Sequence, residues 1–407
     1  MKNVVIFNGG RGAGTIIPAL IENDDVKLSS IVNAYDDGKS TGEIRAFFEM
    51  LGPSDIRKVQ QLLVPADHVD FNSIDVIYDL RFPKTKSNNQ IFKLLENESK
   101  KKSRIFFGET FNNQYMLDRL RFFLKIFVKN YLLIAKSFPQ KKLILKDCSL
   151  MNCLYAGAFL HFKRNIDHAT LEFEKLFNLS GSVLPTSIEN KKLVGLRSNG
   201  DILFSEAEIV ELRSNVAIER VYLLESYPPK GSFKNVSFQD KKYYFETHQS
   251  FVEASPRVQR AVDDADIIIY AAGTQHSSLY PTYLSNGIAS SIAKNKRAFK
   301  VFITNIGADY ETPFYRAHDY INGALKYLNL ANDYQGEYSD YFNLLLVNKS
   351  QAPSNKNSVR IHGPSLKKIP IKKLAKNFEL AQTGKHNGSL VVKEIMRHYS
   401  QYLSMIT

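Results

Sequence analysis

The sequence predicts an α/β fold built on an open, mostly parallel sheet. Three observations predict it. The apolar run Val4-Val5-Ile6-Phe7 empties into the glycine-rich loop Asn8 to Thr15, and a second run, Ser30 to Tyr35, empties into Asp36-Asp37-Gly38-Lys39-Ser40-Thr41-Gly42. Much later, Asp266 to Ala271 opens into a third polar loop, Ala272 to Ser278. Buried strands that each release a polar, glycine-bearing loop are how open α/β sheets build a nucleotide site at their carboxyl ends.

The elements follow in order. Lys2 to Phe7 reads as a strand covered on both faces. Thr15 to Glu22 reads as a helix that tolerates Pro18 in its first turn. Val26 to Tyr35 is the second strand, and Gly42 to Leu51 carries Ile44, Phe47, Phe48 and Leu51 at helical spacing. Gly52 to Lys58 is a turn into another helix, with Ser54 or Asp55 as its cap. From about 67 to 146 the α/β rhythm gives way to a mainly helical insert. There Phe122, Phe123, Ile126, Phe127, Tyr131, Leu132 and Ile134 alternate with basic residues: a core-facing helix, or a basic face for a partner or membrane surface. Cys148 to Phe162 is an apolar helix. Short strands follow at Gly181 to Thr186, Leu193 to Leu196, Asp201 to Phe204 and Val221 to Leu224, with Ser198-Asn199-Gly200-Asp201 as a hairpin turn. Residues 226–250 read as a polar loop insertion. A helix at Val258 to Ala265 leads into the third strand-and-loop unit. Beyond it come a helix (Gly287 to Ala293), strands (Phe299 to Thr304, Leu344 to Val347) and a helix (Leu390 to Leu403).

The 407 residues are expected to form a single α/β domain spanning 1–407, and 44% apolar content is enough for a large core. The net charge of +13 favours anionic partners; phosphate-bearing small molecules fit it, as does a plain lysine-rich surface, and no nucleic-acid partner is expected. Cys148 and Cys153 match no metal clip and read as reduced thiols. The uncharged stretch Ile267 to Ala293 is broken by Gly273 to Ser278, Pro281 and Ser285-Asn286, so no membrane span is expected. The early first strand leaves no room for a signal peptide, and a cytoplasmic location is expected.

The loops carry the chemistry. Gly9, Gly10, Gly12 and Gly14 let backbone approach a phosphate, or simply make a tight turn. Thr15 stands where a P-loop requires lysine, and the glycine spacing is too short by one for a dinucleotide fingerprint. Asp36 and Asp37 sit where a ribose-binding acid would, yet two carboxylates beside Ser40 and Thr41 also suit Mg²⁺ bridging to substrate phosphates, or turn chemistry alone. Asp55 and Arg57 share the next loop, where arginine can fork a phosphate or make a surface ion pair. Gly273, Thr274, His276 and Ser278 offer hydroxyls, backbone and an imidazole that can bind phosphate, act as acid/base, or be structural.

Taken together, the glycine loop, DDGKSTGEIR, GPSDIRK, SGSVLPTS, the long DADIIIYAAGTQHSSLYPTYLSNGIASSI segment and VFITNI with ET resemble the 2-phospho-L-lactate transferase (CofD-like) family, which includes the YvcK-type gluconeogenesis factors. The matching positions include Gly9, Gly10, Gly12 and Thr15; Asp36, Asp37, Gly38, Ser40, Gly42 and Arg45; and Gly52, Pro53, Asp55, Ile56 and Arg57. Further along, Ser149, Leu150 and Asn152 match the family's S-L-G-N, followed by Gly273, Ser278, Asn305, Glu311 and Thr312. Asn8, Lys39 and Ala272 depart from the family pattern.

The resemblance implies a Rossmann-like, doubly wound sheet, a ligand cleft at the strand ends, and often a homodimer. It also implies a Mg²⁺-dependent transferase that acts on a nucleoside-diphosphate-linked phosphoester, GDP- or UDP-type, with release of a nucleotide. The alternative it carries is a non-catalytic nucleotide-sugar-binding regulator of the YvcK type. On this reading Asp36 and Asp37 hold metal, and with Arg57 form the catalytic set. Gly9, Gly10, Gly12, Thr15, Ser40, Asp55, Asn152, Gly273, Thr274, His276, Ser278 and Asn305 bind the ligand.

Overall fold

A computed structural model describes residues 1–103, 105–107, 111–229, 231–349, 358–381 and 383–406. Among them run the strands β1 (Lys2–Phe7), β2 (Val26–Val32), β3 (Ser182–Pro185), β4 (Lys192–Arg197), β5 (Ile202–Leu203), β6 (Ile218–Leu224), β7 (Ile267–Tyr270), β8 (Phe299–Ile303), β9 (Leu344–Asn348) and β10 (Lys372–Lys376). Seven make one sheet in the order β10-β9-β8-β7-β1-β2-β3, every pair parallel. The α/β class and doubly wound sheet expected from the sequence are therefore present. Continuous burial explains the runs that made the strands legible: Val4 to Phe7, Ile267 to Tyr270 and Leu344 to Val347 are covered on both faces.

The chain winds one way from β1 through β2 to β3, and the other way from β7 through β8 and β9 to β10. The reversal falls between β1 and β7, which pair from Val4↔Ile267 to Phe7↔Tyr270. Ligands of open α/β sheets bind beyond the carboxyl ends of strands at such a reversal.

Helices Phe71–Asp79, Asn88–Ser99 and Gln114–Ser137 fill the stretch before Leu150–His161. The longest buries Met116, Leu117, Leu120, Phe123, Leu124, Phe127 and Val128, a stripe at three- and four-residue spacing. Gly157 brings Leu150–His161 against the Phe123 backbone, where any Cβ would overlap the Phe123 carbonyl. The basic aromatic helix thus buries most of its first half against the core, while Phe122, Leu132 and Leu133 remain exposed.

A second, antiparallel sheet, β5-β4-β6, has its own small core of Val194, Leu196, Tyr222, Leu224 and Phe245. Its hairpin turns at Gly200, whose φ of +89° suits glycine. Two local expectations need correction. Pro53, not Ser54 or Asp55, occupies the cap position of helix Ser54–Leu62, which puts Asp55 inside the first turn. The stretch 226–250 is not all loop: Phe238–His248 is helical, capped by the Ser237 side chain. No helix among the described residues is long and apolar enough to cross a membrane.

Candidate functional site

Three loops interlock beyond β1 and β7. Gly9 is pressed against Ser278, and a Cβ on Gly12 would overlap the Ala272 carbonyl oxygen. Gly10 takes φ +67°, and a Cβ there would come within 2.8 Å of Asp55 Oδ1. Three asparagines staple the strand ends. Asn8 donates to Ser30 Oγ (2.5 Å) and accepts from the Gly10 N–H (3.1 Å). Asn33 donates to the Ser278 carbonyl (2.6 Å), tying the end of β2 to the loop after β7. Asn305, after β8, reads Gly273 as a base-pair-like partner, accepting its N–H and donating to its carbonyl, both at 3.0 Å.

These loops border a cleft of about 890 Å³. Gly10, Gly12, Gly14 and Thr15 form its floor. Arg57, Lys58 and Arg81 stand on the β2 side, with Ile306, Gly307, Lys385 and His386 on the β8 side. Lys58 is paired with Asp55 (2.8 Å) and Arg81 with Asp147 (3.7 Å). Arg57 has no carboxylate within ion-pair distance among the described residues. It donates Nη1 to the Tyr78 carbonyl (3.1 Å), and its buried Nε has no partner. Burial, with Arg81 nearby, pushes its pKa down. Asp36 and Asp55 pull the other way without pairing with it directly, and an anion entering the cleft would offset the remaining desolvation cost.

Acids gather on the other side of Asp55. Asp36 accepts the Gly38 N–H (2.9 Å), and Glu206 Oε2 approaches the same glycine. Burial first, then Asp36, Asp55, Asp37 and Glu311, push the Glu206 carboxyl well above the usual carboxylate range. Asp55 is raised by burial and by Asp36, against the pull of Lys58. Asp37 is already occupied: it accepts the Ala207 N–H (2.9 Å) and the Tyr227 hydroxyl, so it tethers the small sheet's connections to the β2 loop. Glu311 accepts from the His276 and Ser277 N–H groups (2.8 and 3.0 Å) and from Ser277 Oγ (2.5 Å). Burial and Asp309 push it up to about 8.

Residues 4–368 match the family described as 2-phospho-L-lactate transferase CofD. The chain belongs to the CofD family. Among its CofD relatives, a gluconeogenesis factor from Halalkalibacterium halodurans is 25% identical over 406 residues, covering 97% of this chain and 96% of the relative. One from Listeria monocytogenes is 25% identical over 319 residues, covering 78% and 71%. The crystal structure of an UPF0052 family member from Bacillus halodurans superposes with a TM-score of 0.66 at 21% identity, covering 97% of this chain and 98% of that one, which marks a shared fold.

Within this CofD chain, the residues singled out by sequence take different places. Gly10, Gly12, Thr15, Arg57, Gly273 and Asn305 line the cleft. Asp36 and Asp55 stand behind that lining with Glu206, Gly9 packs against Ser278, and the Thr274 and Ser278 hydroxyls bond each other at 2.8 Å. Asn152, fully buried, donates to Ser40 Oγ and Thr41 Oγ1 at 3.4 Å and leaves its own Oδ1 without a partner. His276 does not line the cleft. It is 1% exposed, ringed by Tyr280, Tyr315 and Tyr327, and burial holds it neutral by lowering its pKa to about 3. Nor are the 276–277 backbone N–H groups free for phosphate, because Glu311 takes them. Glu206, Tyr227, Lys385 and His386 escaped the sequence reading. No local pattern marks them, since each reaches the site from an element remote in the chain. Only Glu311 left a trace, as the acid of the family's E-T segment.

Proposed function

We propose that this CofD-family protein binds a nucleoside-diphosphate-linked small molecule, GDP- or UDP-type, in the β1/β7 cleft and transfers its phosphoester-linked group to an acceptor with the help of Mg²⁺. Arg57 carries the reading: a half-buried guanidinium with a buried, unpartnered Nε, lining the same cleft as the glycine loop at the sheet's reversal point. Arg57 and Lys58 would bind the diphosphate from one side, while Gly10 and Gly12 let it lie against backbone.

The acids fit a divalent cation. Asp36 and Asp37 each keep free lone pairs beside the hydrogen bonds they accept, and Asp55 and Glu206 lie close enough to join them in holding the ion. No group of three or more His, Cys, Asp or Glu side chains arranged for a metal occurs among the described residues. Mg²⁺ needs only one or two carboxylates when water and substrate phosphates complete its shell. Bound there, it would neutralise charge on the bridging phosphate oxygens. The crowding that raises the Asp55 and Glu206 carboxyls is relieved when a cation is shared among them.

The hydrogen bonds that Asp37 already accepts favour a second reading, a non-catalytic nucleotide-sugar-binding regulator, in keeping with relatives named gluconeogenesis factor. Calorimetry with GDP, UDP, a UDP-sugar and NAD, each with Mg²⁺ and with EDTA, separates the two. The transferase predicts diphosphate binding that weakens on Mg²⁺ removal and a GDP-linked substrate turned over by wild type but not by Asp36→Asn. The regulator predicts tight UDP-sugar binding indifferent to EDTA and to Asp36→Asn. Binding of NAD alone would sink both.

A further inference from the structure

Residues 369–407 lie beyond the segment that matches the CofD family, yet they supply part of the cleft wall. After β10 the chain is tied back to the sheet, the Phe378 N–H donating to Asn348 Oδ1 (2.8 Å) at the end of β9. A tight turn follows. Leu380 N–H donates to the Lys385 carbonyl (2.8 Å), and Gly384, at φ +71°, gives its N–H to Glu379 Oε1 (2.9 Å). Asn387 N–H then closes onto the Phe378 carbonyl (2.7 Å).

The turn delivers two side chains. His386 is buried beside the Thr304 backbone, one residue before the Asn305 that clamps Gly273. Beside it Lys385 reaches the cleft from the exposed side, with neither an ion pair nor a side-chain hydrogen bond among the described residues. The cleft thus has two cations that make no direct ion pair among the described residues: Arg57 on the β2 side and Lys385 on the β8 side, with the glycine loop among the lining they share.

We propose that Lys385 is a second anion-binding arm of the cleft, gripping the diphosphate from the wall opposite Arg57, and that His386 is the positioning residue that fixes it there. The inference rests on the nucleotide reading above and goes further, because it makes a segment outside the family match a determinant of diphosphate over monophosphate. A single phosphate seated on the glycine floor would be met from the β2 side, by Arg57 and Lys58. A second phosphate extends the charge toward Lys385, so the preference grows with chain length of the phosphate group.

The test is calorimetric titration of the full chain with GDP, GMP, UDP and UMP at two salt concentrations. Lys385→Ala is expected to weaken both diphosphates about ten-fold, the scale of one charge-assisted hydrogen bond, and both monophosphates less than two-fold. Lys385→Arg should retain diphosphate binding. Because His386 acts through Lys385, His386→Ala should weaken GDP in the wild-type background and add nothing in Lys385→Ala. Diphosphate binding unchanged in both Lys385→Ala and Lys385→Glu overturns the inference alone. Equal losses for mono- and diphosphates overturn it too, by making Lys385 a general source of charge. Wild-type protein that binds none of the four overturns the nucleotide reading and this inference with it.

Discussion

Arg57 holds a charge that no carboxylate pairs directly, and that has two consequences. Removing it should cost binding: Arg57→Met is expected to weaken diphosphate affinity about 10–100-fold, the range for hydrogen bonds to charged groups. It should cost little stability, since the half-buried guanidinium makes no ion pair to lose and methionine keeps the apolar stem. A ligand-free Tm clearly below wild type would make Arg57 structural. Glu311 gives a pH signature. Its carboxyl titrates near 4.5 when unfolded and near 8 when folded, because burial and Asp309 disfavour its charge. Between those values the folded state keeps a proton that the unfolded state has released, so stability falls as pH rises through that window and this contribution is flat above it. His276 and His386, lowered to about 3 and about 4, act in the opposite sense only below about 6.5. From pH 6.5 to 8 the two histidines no longer contribute. In that interval Glu311→Gln should remove up to about 1.4 kcal/mol per pH unit of the decline. Its amide can still accept from the 276 and 277 N–H groups while donating to Ser277 Oγ. Urea unfolding of both proteins across the interval checks it, and parallel slopes would refute it.

At the scale of elements, the three strand-and-loop units could be read from sequence because each is local: a run of apolar residues, then glycine and polar chemistry. β1, β2 and β7 were legible for that reason, and so was the glycine loop. The edge strand β10 was not. Its residues, Lys372 to Lys376, are mostly exposed, and three lysines carry no apolar signal; charge on an edge strand discourages pairing with another chain rather than advertising a strand. Helix Phe238–His248 hid for a related reason, with Tyr243, Tyr244 and Phe245 adjacent instead of spaced and only Phe245 buried. The acids of the site show the limit most clearly. Asp36 and Asp37 look equivalent in sequence, and only the approach of Ala207 and Tyr227 makes one a tether and leaves the other beside Asp55 and Glu206. The interlock of the loops after β1 and β7 gives a prediction of its own. A Cβ on Gly12 meets the backbone of Ala272 and Gly273, which cannot rotate away as a side chain would. Gly12→Ala should therefore cost at least the ~1–3 kcal/mol typical of overpacking and abolish ligand binding together with it. A variant with wild-type Tm and affinity would show that the two loops are free to part.

Across the whole molecule, the cleft joins parts of the chain that are farthest apart in sequence. The first strand supplies its floor, β7 and β8 its far wall, and the last helix, Gly388–Ile406, packs on Ile16–Ile21 immediately after that floor. The contact is closest at Gly388, where a Cβ would overlap the carbonyl oxygen of Thr15, a cleft residue. The C-terminal helix can therefore lie where it does only with glycine at its first position, and any push there is passed directly to the glycine loop. Gly388→Ala is expected to lower the Tm and to weaken diphosphate binding in the same variant, whereas Ser389→Ala, one exposed position further on, should change neither. Saturating ligand should also restore less stability to Gly388→Ala than to wild type, because stabilisation by a ligand scales with the logarithm of its concentration over Kd. Thermal unfolding with and without GDP measures all three quantities at once. If Gly388→Ala loses stability while its affinity stays that of wild type, the C-terminal helix only buttresses the sheet, and the coupling between the end of the chain and the site at its beginning is disproved.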